Sequence, residues 1–196
     1  MGVEYESVPE GPFLQGELLA DVWEHRSLEP TIELPIDGAH QYHSFHHPFV
    51  VLLDAGCDLE TDFRKRGDFV TPREDEEIEK QDQDGGLLQY LTLCDVFEEG
   101  SIVDRMAGGD ILRRTSNGNQ EARYHFLPEG EGEVADREGL TTSLYLDFKR
   151  VISVPTSSLY EGVASGNIRR AAVIPPIYAY DLAQRFYSYR SRIGQP

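Results

Sequence analysis

The chain has 196 residues, a length that predicts a single domain spanning 1–196. Its 35 acidic residues outnumber its 18 basic residues, and the net charge of −17 at pH 7 argues against a protein that coats nucleic acid without specificity. The hydrophobic content of 39%, with ten Tyr and nine Phe, is sufficient for a packed core and argues against wholesale disorder.

The sequence predicts neither a membrane span nor a secretory signal. It contains no apolar run long enough to cross a bilayer, and residues 1–10 lack a basic region followed by an apolar one. The two cysteines, Cys57 and Cys94, make no disulfide framework and fit a reducing cytosol. We therefore expect a cytoplasmic domain with no membrane partner.

The charge is unevenly distributed along the chain. Residues 140–196 hold seven basic and three acidic residues, a net charge of +4, so residues 1–139 carry −21. This basic segment either meets an anionic partner or pairs with the acidic part of the same chain.

The first half of the chain predicts two strands and two irregular segments. Residues 1–12 are polar, with Pro and Gly, and predict a flexible N-terminal arm. Residues 13–23 predict a bent strand or strand pair that turns at Gly16, and residues 28–47 predict a loop with short extended pieces. The apolar run at 49–53 predicts the clearest buried strand.

An acidic insertion follows at about residues 66–86. Glu74 to Asp84 contains seven acids and one Lys, and like charges at that density repel one another and bury nothing. We expect this insertion to be solvated and mobile.

The second half predicts three more strands and three helical regions. Strands are predicted at 87–97, 123–127 and 144–154, with a helix from an N-cap at Ser101 to Arg114, a loop at 128–139 and a helical turn at Thr156 or Ser157. The best helix follows Pro175-Pro176. One face of it carries apolar residues at steps of three or four, namely Tyr178, Leu182, Phe186, Tyr189 and Ile193, and Gly194 is a natural C-cap. This order predicts a small, curved, mainly antiparallel α+β domain or barrel.

Four histidines lie within eight residues. They are His40, His43, His46 and His47, with Cys57 and Asp58 not far beyond. Imidazole and thiolate are zinc ligands, but Cys57 and Cys94 lie too far apart in sequence for paired zinc knuckles. An exposed histidine-rich loop is the simpler interpretation, so we predict no metal and no cofactor.

The next group of polar residues is basic and lies near predicted strands. It comprises Arg123, His125, Lys149 and Arg150. Arg123 and His125 are two apart on one strand and are expected to share a face, where basic and aromatic side chains hold single-stranded RNA. Salt bridges to the acidic loops are the alternative.

Three segments together resemble MazF/PemK-like toxins. They are Gln15-Gly-Glu-Leu-Leu19, His47-Pro48-Phe-Val-Val-Leu-Leu53 and Leu144 to Leu159 (LYLDFKRVISVPTSSL), and they cover about half of the chain in pieces. The resemblance implies an SH3-like barrel with a C-terminal helix, often as a homodimer. It also implies metal-independent cleavage of single-stranded RNA by an arginine beside the Pro and a hydroxyl at the end of the next core strand.

The expected catalytic residues are replaced in this chain. His47 stands where the resemblance implies the arginine, Gln15 replaces the opening arginine, and the hydroxyl position falls near Cys94 or Asp95, with Thr92 just before it. If the chain is a ribonuclease, the expected catalytic residues are His47 as the base, Arg123, which reaches in to replace the missing arginine, and Thr92 or Cys94.

Two functions follow from the resemblance. The first is a catalytically silent interaction module of a bacterial toxin–antitoxin or antiphage system, such as a CRISPR-associated one in which a protease cleaves the acidic insertion. Its partner is then an antitoxin, a sigma-type factor or that protease. The alternative is an active, metal-independent endoribonuclease that cleaves single-stranded RNA.

Overall fold

The computed structural model describes residues 2–27, 42–67, 87–102 and 109–192, and every structural statement concerns these residues. The eight strands are β1 (Val3–Glu4), β2 (Glu17–Ser27), β3 (Tyr42–Leu52), β4 (Tyr90–Glu98), β5 (Tyr124–Leu127), β6 (Gly130–Glu131), β7 (Leu144–Pro155) and β8 (Arg169–Val173). The six helices are α1 (Gly56–Gly67), α2 (Glu99–Ile102), α3 (Gly109–Ser116), α4 (Glu133–Glu138), α5 (Thr156–Ala164) and α6 (Pro176–Arg192).

The main sheet has six strands in the order β5-β7-β4-β3-β2-β8. Every neighbouring pair in it is antiparallel, whereas β1 and β6 form a separate parallel pair. The prediction of an α+β domain with a mainly antiparallel sheet and a C-terminal helix is therefore confirmed.

Helices cover both faces of the sheet. On β3, Val51 packs into a cluster that contains Leu182 and Phe186 of α6. Its neighbours Val50 and Leu52 pack into a second cluster with Leu59 of α1 and Leu159 of α5. This alternation explains the continuous apolar run at 49–53, because a strand buried on both faces has no polar side.

The apolar stripe predicted for the last helix packs as expected on the sheet. Leu182 and Phe186 are buried, and Tyr178 and Tyr189 are half-buried against the same cluster. The proposed end of the stripe at Ile193 and the C-cap at Gly194 lie outside the described residues.

Strands β2 and β3 extend beyond the sheet as a two-stranded arm. β8 pairs with β2 only at residues 17–20, and β4 pairs with β3 only at residues 50–52. From the Val22–His47 pair to the Ser27–Tyr42 pair, the described strands pair with each other alone. Asp21 lies at the base of this arm with φ +64°, a backbone conformation that Asp adopts more readily than most residues.

An irregularity in β7 lies beside the arm. Cys94 pairs with Val151 and Val96 pairs with Leu146, so Asp95 alone faces the four residues from Asp147 to Arg150. Such bulges re-aim side chains and often lie beside functional sites.

Four local predictions differ from the structure, and one helix, α1, was not predicted. The N-terminal arm is packed, since Val3 and Tyr5 are buried and β1 pairs with β6. Residues 42–47 are strand rather than loop, residues 56–67 form α1, and the loop at 128–139 contains β6 and α4. Ser101 lies inside α2 rather than at an N-cap, and of the acidic insertion at 66–86 only Arg66 and Gly67 are described, both in α1.

Candidate functional site

A groove opens where β3 and β4 separate. It has a volume of about 410 Å³. Its lining includes three phenylalanines and three polar residues: Phe45, Phe49, Phe97, His47, Asp95 and Arg150. A concave site with aromatic walls and a few convergent polar groups is the usual form of a ligand-binding or active site.

His47 is held at the floor of this groove by Asp95. Its side chain is 5% exposed, and Nδ1 forms a short hydrogen bond with Oδ1 of the buried Asp95 carboxylate. A carboxylate accepts hydrogen bonds, so Nδ1 is assigned the proton and Nε2 is the nitrogen directed elsewhere. Asp95 pairs with Val50 at the end of the β3–β4 register, and His47 lies three residues beyond that pair, where the two strands separate.

Glu24, on the arm, contacts the other side of the ring. Its Oε2 lies 3.3 Å from His47 Nε2, and its side chain is 16% exposed. The hydrogen bond that His47 donates to Asp95 raises the pKa of His47 above its usual value, and Glu24 acts in the same direction, while burial opposes both. The two carboxylates therefore both favour the imidazolium form of His47.

Arg150 completes the polar cluster from the bulge of β7. Its Nε donates to Asp95 Oδ2 over 3.0 Å, and its guanidinium carbon lies 5.8 Å from the centre of the Phe97 ring. The side chain of Arg150 is 41% exposed, so it retains a face toward the groove. One buried carboxylate thus holds both an imidazole and a guanidinium.

Arg123, a predicted catalytic and RNA-binding residue, is paired with a different carboxylate. Its Nε and Nη2 donate to the two oxygens of Asp147 over 2.7 and 2.5 Å, which makes a bidentate pair. Asp147 is 1% exposed, and Arg123 also stacks 4.8 Å from the centre of the Tyr124 ring. Arg123 does not line the groove that contains His47.

His125 and Arg123 do not form one exposed basic face. His125 is 1% exposed, and its Nδ1 has no hydrogen-bond partner among the described residues, its nearest carboxylate being Asp181 at 4.0 Å. Burial and the charge of Arg185 lower the pKa of His125 to about 3, so this ring is neutral at pH 7. In this conformation, His125 is buried and neutral and cannot contribute positive charge to RNA binding.

Thr92 and Lys149 lie in different parts of the sheet. Thr92 pairs with Ser153, three residues along β4 from Asp95 and about 10 Å away, and its backbone N–H donates to Asp54 Oδ2. Lys149 is exposed on the bulge beside Arg150. Of the residues predicted from the sequence, His47 and Arg150 meet at the groove, whereas Thr92 and Arg123 do not.

The histidine cluster does not converge on one point. His43 and His46 are exposed on the arm, His46 stacks with Trp23 at 4.8 Å, and His40 lies outside the described residues. Cys57 is exposed in α1. Among the described side chains, no group of three or more His, Cys, Asp and Glu residues is arranged to hold a metal ion.

Sequence reasoning missed Glu24 as a functional residue and named Asp95 only as a position near the expected hydroxyl. Both carboxylates lie far from His47 in sequence, and the chain has many other acids. The available signal was the resemblance, which placed the hydroxyl of the family near Cys94 or Asp95.

The chain matches no protein-family model, no curated protein and no solved structure. None of the described helices is long and apolar enough to cross a membrane. The function must therefore be argued from the geometry of the groove.

Proposed function

We propose that this chain is a MazF/PemK-like domain with an SH3-like barrel, and that it cleaves single-stranded RNA at the His47 groove without a metal ion. The observation that carries the proposal is the Asp95 carboxylate, which holds His47 and Arg150 together at the floor of an aromatic groove. The sequence alone favoured a silent interaction module, and the convergence of these three residues is the reason to rank the ribonuclease first.

The resemblance gains support from the position of this pair. It assigns the arginine of the family to His47 and the hydroxyl near Cys94 or Asp95, and these two positions meet in the groove. Arg150, which the sequence analysis assigned to RNA binding, takes the place proposed for Arg123 as the cation.

The cluster supplies the groups that RNA cleavage needs. Attack of a 2′-oxygen on the adjacent phosphorus requires proton transfer, which an imidazole performs, and a cation beside the developing negative charge, which Arg150 provides. Phe45, Phe49 and Phe97 line the groove, and aromatic side chains are the residues on which unpaired bases stack. Lys149, exposed beside Arg150, adds a local positive charge to a chain whose overall charge is negative.

Cleavage of a long single-stranded RNA, with and without EDTA, tests the proposal. We expect the protein to cut the RNA in both conditions, and His47→Ala to lose at least 100-fold in rate. The Glu60→Gln variant, altered on the exposed face of α1, serves as a control and should retain full activity. If micromolar protein leaves the RNA intact in both conditions, the ribonuclease proposal is wrong.

A second candidate is the interaction module, and the arm favours it. Trp23 and Phe45 on the arm are 53% and 41% exposed. A two-stranded ribbon is only marginally stable in water by itself, so contacts with a partner at these rings would stabilise the arm. A protein partner such as an antitoxin or a sigma-type factor would cover these rings. This candidate predicts that Trp23→Ala weakens partner binding. It also predicts that neither the wild type nor any variant cleaves RNA.

In the interaction-module candidate, a protease cleaves the acidic insertion. Residues 68–86 of this insertion lie outside the described residues. The ends of this segment are joined by Asp62, which accepts from the backbone N–H of Leu88 over 2.7 Å, and by Arg66, which donates to the Leu88 carbonyl over 2.7 Å. A cut between them would therefore leave both ends attached to the domain.

A further inference from the structure

We propose that a pocket beside the C-terminal half of α6 binds a phosphate group between the side chains of Arg185 and Arg192. The pocket has a volume of about 230 Å³, and it is lined by Ala122, Gln184, Arg185, Ser188, Tyr189 and Arg192. The geometry that carries the proposal is a pair of guanidinium groups in one pocket whose described lining contains no carboxylate. This pocket shares no lining residue with the groove that contains His47, so the inference does not rest on the ribonuclease function.

Helix periodicity places the two arginines on one side of α6. They are seven residues apart, which is close to two turns of an α-helix, and Ser188 and Tyr189 lie between them at steps of three or four residues. Arg190 belongs to the same last turn as Arg192 but does not line the pocket. Arg185 and Arg192 therefore contribute their charges to one concave surface, and Arg190 does not.

The guanidinium of Arg185 is held in place by the backbone. Its Nη2 donates to the carbonyls of Glu121 and Tyr124 over 2.7 and 3.1 Å, which joins α6 to the start of β5. Its Nε is buried and has no acceptor among the described residues. Glu121 contributes only its carbonyl, because its carboxylate pairs with Arg114 over 3.0 Å. A side chain fixed in this way needs little further ordering when an anion binds.

No salt bridge neutralises the two arginines within the described part of the chain. Most of the described arginines pair with a carboxylate, as Arg123 does with Asp147, but neither Arg185 nor Arg192 does so. Burial lowers the pKa of Arg185, Asp181 opposes this effect, and the positive charge of Arg192 adds to it. The two guanidinium groups are thus close enough to repel each other, and an anion between them would offset that repulsion.

The donors of the pocket fit a phosphate group better than a carboxylate. Guanidinium groups form parallel N–H···O bonds with phosphate oxygens, and a phosphate has enough oxygens to accept from two arginines at once. Gln184 and Ser188 add an amide and a hydroxyl to the lining. A nucleic-acid backbone, a nucleotide and the free ion all present a phosphate group, and binding measurements with one probe of each kind separate these sources.

Isothermal titration calorimetry in a low-salt buffer without phosphate tests the pocket. The probes are inorganic phosphate, uridine 5′-monophosphate and a short oligodeoxynucleotide without terminal phosphates, which lacks the 2′-hydroxyl that cleavage requires. The variant is Arg192→Gln. Arg190→Gln is the matched control, because it removes the same charge from the same exposed turn of α6 but lies outside the pocket. Circular dichroism establishes that both variants are folded.

We expect the wild type to bind inorganic phosphate at one site. Arg192→Gln should weaken this binding by about tenfold or more, because it removes a charged donor, and Arg190→Gln should change it by less than about twofold. An equal loss of affinity for uridine 5′-monophosphate alone would assign the pocket to a terminal or free phosphate. A loss for the oligodeoxynucleotide as well would assign it to a nucleic-acid backbone.

Two results would overturn the proposal. One is the absence of saturable binding of inorganic phosphate to the folded wild type at concentrations up to about 10 mM. The other is an equal loss of affinity in Arg192→Gln and Arg190→Gln, which would show that the positive surface of α6 attracts the anion and that the pocket does not hold it. Neither result would affect the ribonuclease proposal, which depends on different residues.

Discussion

Asp95 accepts hydrogen bonds from His47 of β3 and from Arg150 of β7, so one buried carboxylate on β4 joins three strands. It lies where β7 bulges away from β4, and the bulge directs Arg150 back toward it. The site thus depends on a register irregularity as well as on the identity of its residues.

Replacement of Asp95 by Asn should affect stability and the site together. The amide keeps the shape of the carboxylate but removes the charge between an imidazolium and a guanidinium. We expect the free energy of unfolding in urea at pH 6 to fall by about 1–3 kcal/mol. Asp110→Asn is the control, because Asp110 pairs with Arg113 on the surface, where solvent screens the ion pair and its removal should have little effect on stability. An equal effect of both substitutions would contradict a structural role for the Asp95 cluster.

His47 should stabilise the protein more at low pH than at high pH. Its pKa is raised in the folded state, chiefly by the hydrogen bond with Asp95. The stabilisation is therefore fully present below the unfolded pKa of about 6.5 and is lost as the pH rises through the folded pKa. The difference in unfolding free energy between the wild type and His47→Gln should shrink from pH 6 to pH 9. A constant difference over this range would contradict the raised pKa.

His125 should have the opposite pH dependence. Burial lowers its pKa to about 3, so between pH 6.5 and pH 3 the unfolded chain binds a proton that the folded chain does not. The wild type should then lose up to about 1.4 kcal/mol per pH unit relative to His125→Leu as the pH falls through this window. Urea unfolding at pH 7, 6, 5 and 4 measures this slope. Parallel curves for the two proteins would show that His125 is accessible to protons in the folded state.

The sequence indicated the strands and helices that are buried on a recognisable face. The run at 49–53 and the stripe of Leu182 and Phe186 pack in the two clusters, and their patterns are visible because burial selects apolar residues. The arm at 42–47 was predicted as part of a loop because Pro30, Pro35 and Gly38 interrupt residues 28–47. The exposed side chains of residues 43–46 also remove the alternation of a half-buried strand. Helix α1 was missed for a related reason, since only Leu59 and Asp62 of its residues are buried.

The candidate site was less accessible to sequence reasoning than the fold. His47 and Arg150 were named from the sequence, but their link through Asp95 depends on the β3–β4 register and on the bulge in β7. Arg123 and His125 were expected to share a face because they are two residues apart. Arg123 lies just before β5 and turns to Asp147, whereas His125 is buried within the strand.

The hydrogen bond between the Asp62 carboxylate and the Leu88 backbone, called the clamp here, should keep the domain intact after a cut in residues 68–86. Asp62 is 1% exposed and bonds both to the Leu88 backbone and to Arg66. After limited proteolysis in this segment, we expect the two fragments to elute together in size-exclusion chromatography. Asp62→Ala should lower the unfolding free energy of the uncut protein by about 1–3 kcal/mol, because it removes the acceptor of the Leu88 backbone N–H and of Arg66 Nε. Separation of the wild-type fragments without denaturant would contradict the clamp.

The contact between Gly16 and α6 allows a test of how the C-terminal helix docks on the sheet. Gly16 has φ +80°, and a Cβ at this position would lie 2.7 Å from Cβ of Ala179 in α6. Gly118 has a similar φ of +82°, but a Cβ there would meet nothing within 4 Å. Gly118→Ala should therefore cost about 1 kcal/mol from backbone strain alone, and Gly16→Ala should cost about 1–3 kcal/mol more, since the overlap forces α6 away from β2. Thermal unfolding monitored by circular dichroism measures both values. Equal losses of unfolding free energy in the two variants would mean that α6 moves away from Gly16 without a loss of stability. The close approach at Gly16 would then not be required for the packing of α6.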